Sequence, residues 1–274
     1  MRLIFLGDIV GRSGREAVFH ELPLLRSRYS PDLVVINGEN AAHGFGITED
    51  ILKQVLDAGA DVVTLGNHAF DQREALVFIA RYPNLLRPLN YPDGVPGRGV
   101  GLFPTVSGKR VLVINVMGRV MIEPMLDDPF PAVMRELELC RLRESSDAIL
   151  IDMHAEATSE KMALAHYIDG RASLMVGTHT HVPTADHHIL PGGTAYISDV
   201  GMCGDYDSVI GMAKEEPINR FLRKLPVERM KPAEGQATVS GVAVETDDAT
   251  GLALAVAPIR IGGRLEPVLP SFWN

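Results

Sequence analysis

Leu3-Ile4-Phe5-Leu6-Gly7-Asp8 decides the fold: four apolar residues run straight into a glycine and a carboxylate. The same device recurs along the chain. Leu33-Val34-Val35-Ile36 leads into Asn37-Gly38-Glu39-Asn40, and Val62-Val63-Thr64-Leu65 into Gly66-Asn67-His68. Ala148-Ile149-Leu150-Ile151 is followed by Asp152-Met153-His154, and Leu174-Met175-Val176 by Gly177-Thr178-His179-Thr180-His181. Two more apolar runs span residues 111–116 and 195–197. Short continuous runs of this kind suit strands covered on both faces.

Helical patterns fit between the runs. Ser13 with Glu16 forms a capping box opening a helix to about residue 28. Thr48 opens a second, with Glu49 and Asp50 where the helix dipole favours negative charge. Asp71 with Glu74 marks a third start, Pro131 a fourth reaching about residue 144, and Thr158 or Ser159 a fifth. Strands alternating with helices predict an α/β layered fold.

Residues 87–103, rich in proline and glycine, read as a surface loop with room for an edge strand. The segment 202–235 interrupts the alternation, carries a helical stretch at 217–224, and reads as an insertion forming a lid or an oligomer contact. Stretches 237–245 and 252–261 flank Asp247-Asp248-Ala249-Thr250-Gly251 as an antiparallel hairpin. The whole, residues 1–274, is expected to be a single domain.

The chain is 46% hydrophobic and 22% charged, as expected of a globular α/β protein. A formal net charge of -9 argues against general attraction to nucleic-acid phosphates, yet leaves room for a small anionic substrate at a locally positive site. Cys140 and Cys203 lack metal-binding spacing and read as free thiols, which suits a reducing cytosol. The first run meets Asp8 too early for a signal peptide's apolar core, and no run approaches the roughly 20 apolar residues of a membrane span. The expectation is a soluble cytoplasmic protein, with self-association open through the insertion and the hairpin.

In α/β sheets, ligands bind beyond the carboxyl ends of the strands. Strand ends carrying Asp8, Glu39, Asn40, Asn67, His154, His179 and His181 therefore converge on one cleft. Singly, each has a structural explanation as a turn residue, a cap or a hydrogen-bonded histidine. Together they do not. His179 and His181 are expected to project to one side, as alternate residues on extended chain. Carboxylates, amide oxygens and imidazoles suit Fe, Mn or Zn, and seven donors exceed the needs of one tetrahedral ion. Two cations sharing a carboxylate could clamp a phosphoryl group in transfer.

At Gly7-Asp8-Ile9-Val10-Gly11, Asn37-Gly38-Glu39-Asn40-Ala41-Ala42, Gly66-Asn67-His68 and Gly177-Thr178-His179-Thr180-His181 the chain resembles the calcineurin-like metallophosphoesterases, and most closely their bacterial YmdB-like branch. The resemblance covers nearly the whole chain. It implies a layered α/β/β/α sandwich and a phosphoric diester hydrolase acting on small phosphodiesters, 2′,3′-cyclic nucleotides above all. It implies one metal held by Asp8, Glu39, Asn40 and His181, a second held by Glu39, Asn67, His154 and His179, and His68 as general acid. The cations would be divalent or mixed-valence, Fe or Mn first and Zn third, and would generate the hydroxide that attacks phosphorus in line. The usual histidine two residues after Asp8 is here Val10, and Glu39 stands where the superfamily carries Asp, which leaves metal identity open. A phosphomonoesterase or ribonuclease using the same centre, or a metal-dependent nucleotide sensor, are the alternatives.

Outside that set, Asp71 could orient His68 or cap a helix. His43, in a glycine-rich loop, could touch substrate, and Arg12 could meet a phosphate. His187 and His188 read equally as a surface turn. Ser13 has no His/Asp partner to make it a nucleophile. Gly7-x3-Gly11-x2-Gly14 departs from the dinucleotide fingerprint.

Overall fold

Residues 1–224 and 229–273 are described, from a computed structural model. The first part of the chain forms β1 (Arg2–Leu6), β2 (Asp8–Ile9), α1 (Gly11–Tyr29), β3 (Leu33–Asn37), α2 (Glu49–Asp57), β4 (Val62–Thr64), α3 (Ala75–Phe78) and β5 (Leu85–Leu86). Next come β6 (Val100–Pro104), β7 (Arg110–Met117), α4 (Pro129–Leu139), β8 (Ala148–His154), α5 (Thr158–Tyr167), β9 (Leu174–Thr178), β10 (His188–Ile189) and β11 (Ala195–Ile197). The chain finishes with β12 (Met202–Asp205), α6 (Glu215–Arg223), β13 (Ala237–Thr246) and β14 (Ala253–Ile261).

Among the described residues these strands make two sheets. One runs β2-β12-β13-β1-β3-β4-β5, with β14 on β13, and the other β10-β11-β9-β8-β7-β6. β1, β3, β4 and β5 are parallel neighbours, as are β7, β8, β9 and β11. Parallel neighbours need crossovers, and the intervening helices supply most of them.

Side-chain alternation then sets the layers. In β1, Ile4 and Leu6 join the core that includes Val18, Leu22 and Leu25 of α1, while Leu3 and Phe5 face the other way. There they meet Val111, Val113, Leu150 and Val176 of the second sheet. The opposite face of that sheet, with Leu112, Ile149 and Met175, packs on Val133 of α4 and Leu164 of α5. The result is the α/β/β/α sandwich. Each fully buried aliphatic or phenyl side chain contributes about 1.5–3 kcal/mol.

Several element starts differ from the sequence expectation. Helix α1 begins at Gly11, with Val10 as its N-cap, because Gly11 (φ 62) turns the chain directly out of β2. Ser13 lies inside that helix and donates its hydroxyl to the Ala233 carbonyl, 3.0 Å away. Helix α3 is one short turn beginning at Ala75. Asp71 is engaged by His68, and Glu74 accepts from the backbone N–H of Glu49 at 3.0 Å. Asp128, not the residue before Pro131, caps α4 by accepting from Phe130 N at 3.0 Å, and the helix ends at Leu139. Thr48 caps α2 as expected.

Residues 202–205 are a buried strand of the first sheet, parallel to β2 and antiparallel to β13, so the interrupting segment starts after Asp205. Residues 225–228 of that segment lie outside the described residues. β6 is the edge strand expected within the proline-rich loop, antiparallel to β7. The terminal hairpin forms, and its β13 also pairs with β1 (Arg2 opposite Glu245), placing it inside the sheet. Cys140 and Cys203 are free, and no described helix is long and apolar enough to cross a membrane.

Candidate metal centre

The inter-sheet core does not stay apolar along its length. One alternation step beyond Val35, Val62, Val113, Leu150 and Val176, towards the carboxyl ends, stand Asn37, Thr64, Asn115, Asp152 and Thr178, all fully buried. The Asp152 carboxylate gathers them. It accepts from Thr64 Oγ1 at 2.6 Å, Thr178 Oγ1 at 2.7 Å, Asn37 Nδ2 at 3.3 Å and Asn115 Nδ2 at 3.4 Å. This polar layer seals the oil-like core and supports the next layer out, where the chemistry-bearing residues lie.

Each histidine there has one nitrogen committed outward. The Thr178 hydroxyl proton goes to Asp152, so Thr178 Oγ1 accepts from His154 Nδ1 at 2.9 Å and leaves His154 Nε2 as the inward nitrogen. His181 Nδ1 donates to the Ile210 carbonyl at 2.8 Å, and its Nε2 faces Asn40 Oδ1 at 3.2 Å. His179 Nε2 lies 3.3 Å from Glu156 Oε2, turning Nδ1 inward. Asn40 donates its amide to Gly44 O at 3.0 Å, which aims Oδ1 the same way.

Around His154 Nε2 stand Asn67 Oδ1 at 2.9 Å, His179 Nδ1 at 3.0 Å and Glu39 Oε1 at 3.1 Å. Donors about 2.1 Å from a shared cation lie about 3 Å apart at right angles, so the spacing fits a metal. Ligand atoms of Glu39, His154 and His179 all fall within 4.8 Å of one another. Asp8 Oδ1 lies 4.0 Å from His181 Nε2 and 3.9 Å from His154 Nδ1. That oxygen is buried and has no hydrogen-bond partner among the described residues. An orphaned carboxylate oxygen amid inward-facing lone pairs is a donor set chemically suited to a cation.

Electrostatics agree. Burial holds Asp8 well above the usual carboxylate range, with Glu39 adding to the shift and His154 opposing it. Burial would raise Glu39 also, but His154, His68 and His179 outweigh it and bring Glu39 down to about 2. Burial opposes charge on His154, yet Glu39, Asp8 and Asp152 push it up to about 9. Burial and His154 depress His179 to about 3. The buried carboxylates of Glu39, Asp8 and Asp152 thus favour positive charge at His154, which a proton or a cation could supply.

His179 (φ 99) and His181 (φ 65) converge through left-handed backbone, not by alternation on an extended strand as the sequence suggested. Such conformations cost about 1–3 kcal/mol each and need support. Asp199 provides it: its carboxylate accepts from Thr180 N at 3.0 Å and Gly201 N at 2.9 Å, and pairs with buried Lys161 at 3.0 Å. Gly66 is required by close approach, since a Cβ there would lie 2.4 Å from Glu39 Oε2 and 2.3 Å from His154 Cδ2. Gly7 is likewise required by close approach, because a Cβ there would clash with the Gly201 carbonyl.

His68 stands beside this cluster. Its backbone N–H donates to Glu39 Oε2 at 3.1 Å, and its Nδ1 meets Asp71 Oδ2 at 2.8 Å. A cleft of about 870 Å³ opens above, with Glu39, Asn40, His68, His179 and His181 on its floor. Its wall includes Phe45, Met121, Ile210, Met212, Arg220 and Phe221.

The model of the family described as YmdB-like protein matches residues 4–259. The chain belongs to the YmdB-like family. Its similarity to a 2′,3′-cyclic-nucleotide 2′-phosphodiesterase of Bacillus subtilis is 49% identity over 261 residues, covering 95% of this chain and 97% of that relative. A crystal structure of a phosphatase from Mycoplasma pneumoniae has a TM-score of 0.87 at 36% identity, over 96% of this chain and 93% of that one. One of a hypothetical protein from Thermus thermophilus has a TM-score of 0.88 at 45% identity, over 96% and 100%.

In this YmdB-like chain, Asp8, Glu39, Asn40, Asn67, His154, His179 and His181 all lie in or around the cluster, with His68 adjacent. Other candidates do not join it. Arg12 is exposed beside Glu16, and His188 is exposed on β10. His43 lines a neighbouring pocket of about 300 Å³ with Arg229 and Lys231. Sequence reading missed Asp152, Thr178, Asp199 and the Ile210 carbonyl as supports. For Asp152 and Thr178 a signal was present, because both fall on the inward alternation of an otherwise apolar strand.

Proposed function

We propose that this chain is a metal-dependent phosphodiesterase that opens 2′,3′-cyclic nucleotides, the activity for which its Bacillus subtilis relative is named. The observation carrying this reading is the set of three imidazoles, each tied by its outer nitrogen and gathered with the buried carboxylates of Glu39 and Asp8. Asp8, Glu39, Asn40 and His181 would hold one cation. Glu39, Asn67, His154 and His179 would hold the other, with Glu39 shared. Fe or Mn is the first choice, because mixed oxygen and imidazole donors suit either. When bound, the cations supply Lewis acidity, neutralising phosphoryl charge and lowering the pKa of water.

The chain's own groups do the rest. The rigid floor fixes where the phosphoryl group can sit. Asp71 orients the His68 ring by accepting at Nδ1, so that Nε2 carries the exchangeable proton. From there His68 protonates the departing ribose oxygen as general acid. Phe45, edge-on to His68 at 5.2 Å and 82°, limits its motion. The free thiols of Cys140 and Cys203 fit the reducing cytoplasm, where we place the protein.

The test is metal content and 2′,3′-cyclic-nucleotide hydrolysis on one sample prepared without chelator. About two transition-metal ions per chain with ring opening are expected. Phosphate release from a monoester without cyclic-diester cleavage would replace the reading with a phosphatase, a name also given to the Mycoplasma pneumoniae relative. Absence of metal after reconstitution would refute the centre.

A further inference from the structure

We propose that Phe221 and the apolar wall around it bind the heterocyclic base of the substrate, making this enzyme select nucleotides over cyclic phosphodiesters that lack a base. The inference rests on the phosphodiesterase reading above. Chemistry at phosphorus needs only the polar floor, yet the cleft of about 870 Å³ extends well beyond it, along Phe45, Met121, Ile210, Met212 and Phe221.

Several of these side chains face water. Phe221 is 71% exposed, Met121 86% and Ile210 54%. Apolar surface gathered at the mouth of a polar site calls for a ligand that covers it. The occupant must also carry a phosphoester to reach the floor, and its other end must be flat and apolar enough to suit a phenyl ring and adaptable methionines. A nucleobase meets both conditions. Arg220, next to Phe221 on α6, adds a positive charge to the same cleft, complementary to an anionic substrate. Phe45 touches the His68 ring edge-on, so the apolar wall begins beside the general acid.

The experiment compares kcat/KM for 2′,3′-cyclic AMP and for glycerol 1,2-cyclic phosphate, in the metal-loaded wild type, Phe221→Ala and Phe221→Trp. The wild type is expected to favour the nucleotide, and Phe221→Ala to shrink that ratio about tenfold, the size of one base–aromatic stack. The loss should fall mainly in KM, and Phe221→Trp should restore the ratio. A wild-type ratio near unity, a ratio unchanged in Phe221→Ala, or an equal loss on both substrates overturns the proposal. So does an unchanged ratio with an altered mass by light scattering, which would make the patch a contact between copies.

Calorimetric binding of adenosine 3′-phosphate against ribose 5-phosphate is read on the same samples. If neither diester is hydrolysed, the phosphodiesterase reading falls. A Phe221-dependent preference for the nucleotide in binding would still uphold the base-binding wall, and its absence would overturn it.

Discussion

Glu39, Asn40 and His181 on the cleft floor are at most 6% exposed, whereas Ile210, Phe221 and Met121 of the same cleft are 54%, 71% and 86% exposed. The floor hangs on parallel strands of two packed sheets, with Asn40, His154 and His181 each held by a hydrogen-bond partner outside the donor set. The wall comes from connecting segments, chiefly the one after β12, where α6 buries only Pro217. Rigid strands hold a reacting group to a fraction of an ångström, while surface segments can change without disturbing the core. The contrast assigns reaction type to the floor and substrate choice to the wall. Floor and wall are joined through the Ile210 carbonyl, which accepts from His181 Nδ1 at 2.8 Å.

If that division holds, the largest effects belong to the floor. Glu39→Gln keeps the side chain's shape and removes the charge shared by both halves of the cluster. It is expected to abolish hydrolysis and to reduce metal content well below the roughly two ions per chain of a binuclear site. Normal metal content measured by plasma emission would show that Glu39 is not the shared ligand. His68→Ala should cut kcat by about 10²–10⁴ while leaving metal content near normal, the size expected for one general acid. Joint loss of metal and activity would make His68 a ligand.

One layer deeper, Thr178→Val removes both the acceptor for His154 and the hydroxyl donor to Asp152. Outer partners of ligating histidines are worth about 10–100-fold in metal affinity or activity. The expected signature is a right-shifted metal titration of activity, recovered in part by excess metal. Unchanged affinity would show that the His154 ring is oriented by packing alone.

Much of the floor was legible because the fold repeats one device. Apolar runs such as Leu3-Ile4-Phe5-Leu6 are long enough to mark strands, and the residues just beyond must sit at the sheet's carboxyl edge. Asp8, Glu39, Asn67, His154 and His179 needed nothing more than that. Asn37, Thr64 and Asn115 of the buried layer hid behind ordinary strand vocabulary, since a single polar residue at a strand end also suits a turn. The geometry of His179 and His181 was not legible either, because their positive φ values depend on Asp199 and Lys161 from elsewhere in the chain. Residues 202–205 were misassigned to the inserted segment for a similar reason. Met202-Cys203-Gly204-Asp205 is too short and mixed to signal a strand until β2 and β13 pair with it.

The smallest expected effect separates two adjacent residues of the wall. Phe221 lines the cleft, whereas Leu222, 77% exposed, lies outside the residues that line it. Leu222→Asp therefore leaves the floor and the proposed base contact untouched. Leu222 lies in the last turn of α6, where a negative charge opposes the helix dipole by about 0.3–1 kcal/mol, so the urea midpoint should fall only slightly. Hydrolysis of the cyclic nucleotide should likewise stay within about twofold, because water and salt screen a single exposed charge. A drop in molecular mass with this variant would show that the outer face of α6 joins copies of the chain, and that its apolar residues serve assembly. Unchanged mass and activity would confine the function of α6 to the face that carries Arg220 and Phe221, the one turned towards the cleft.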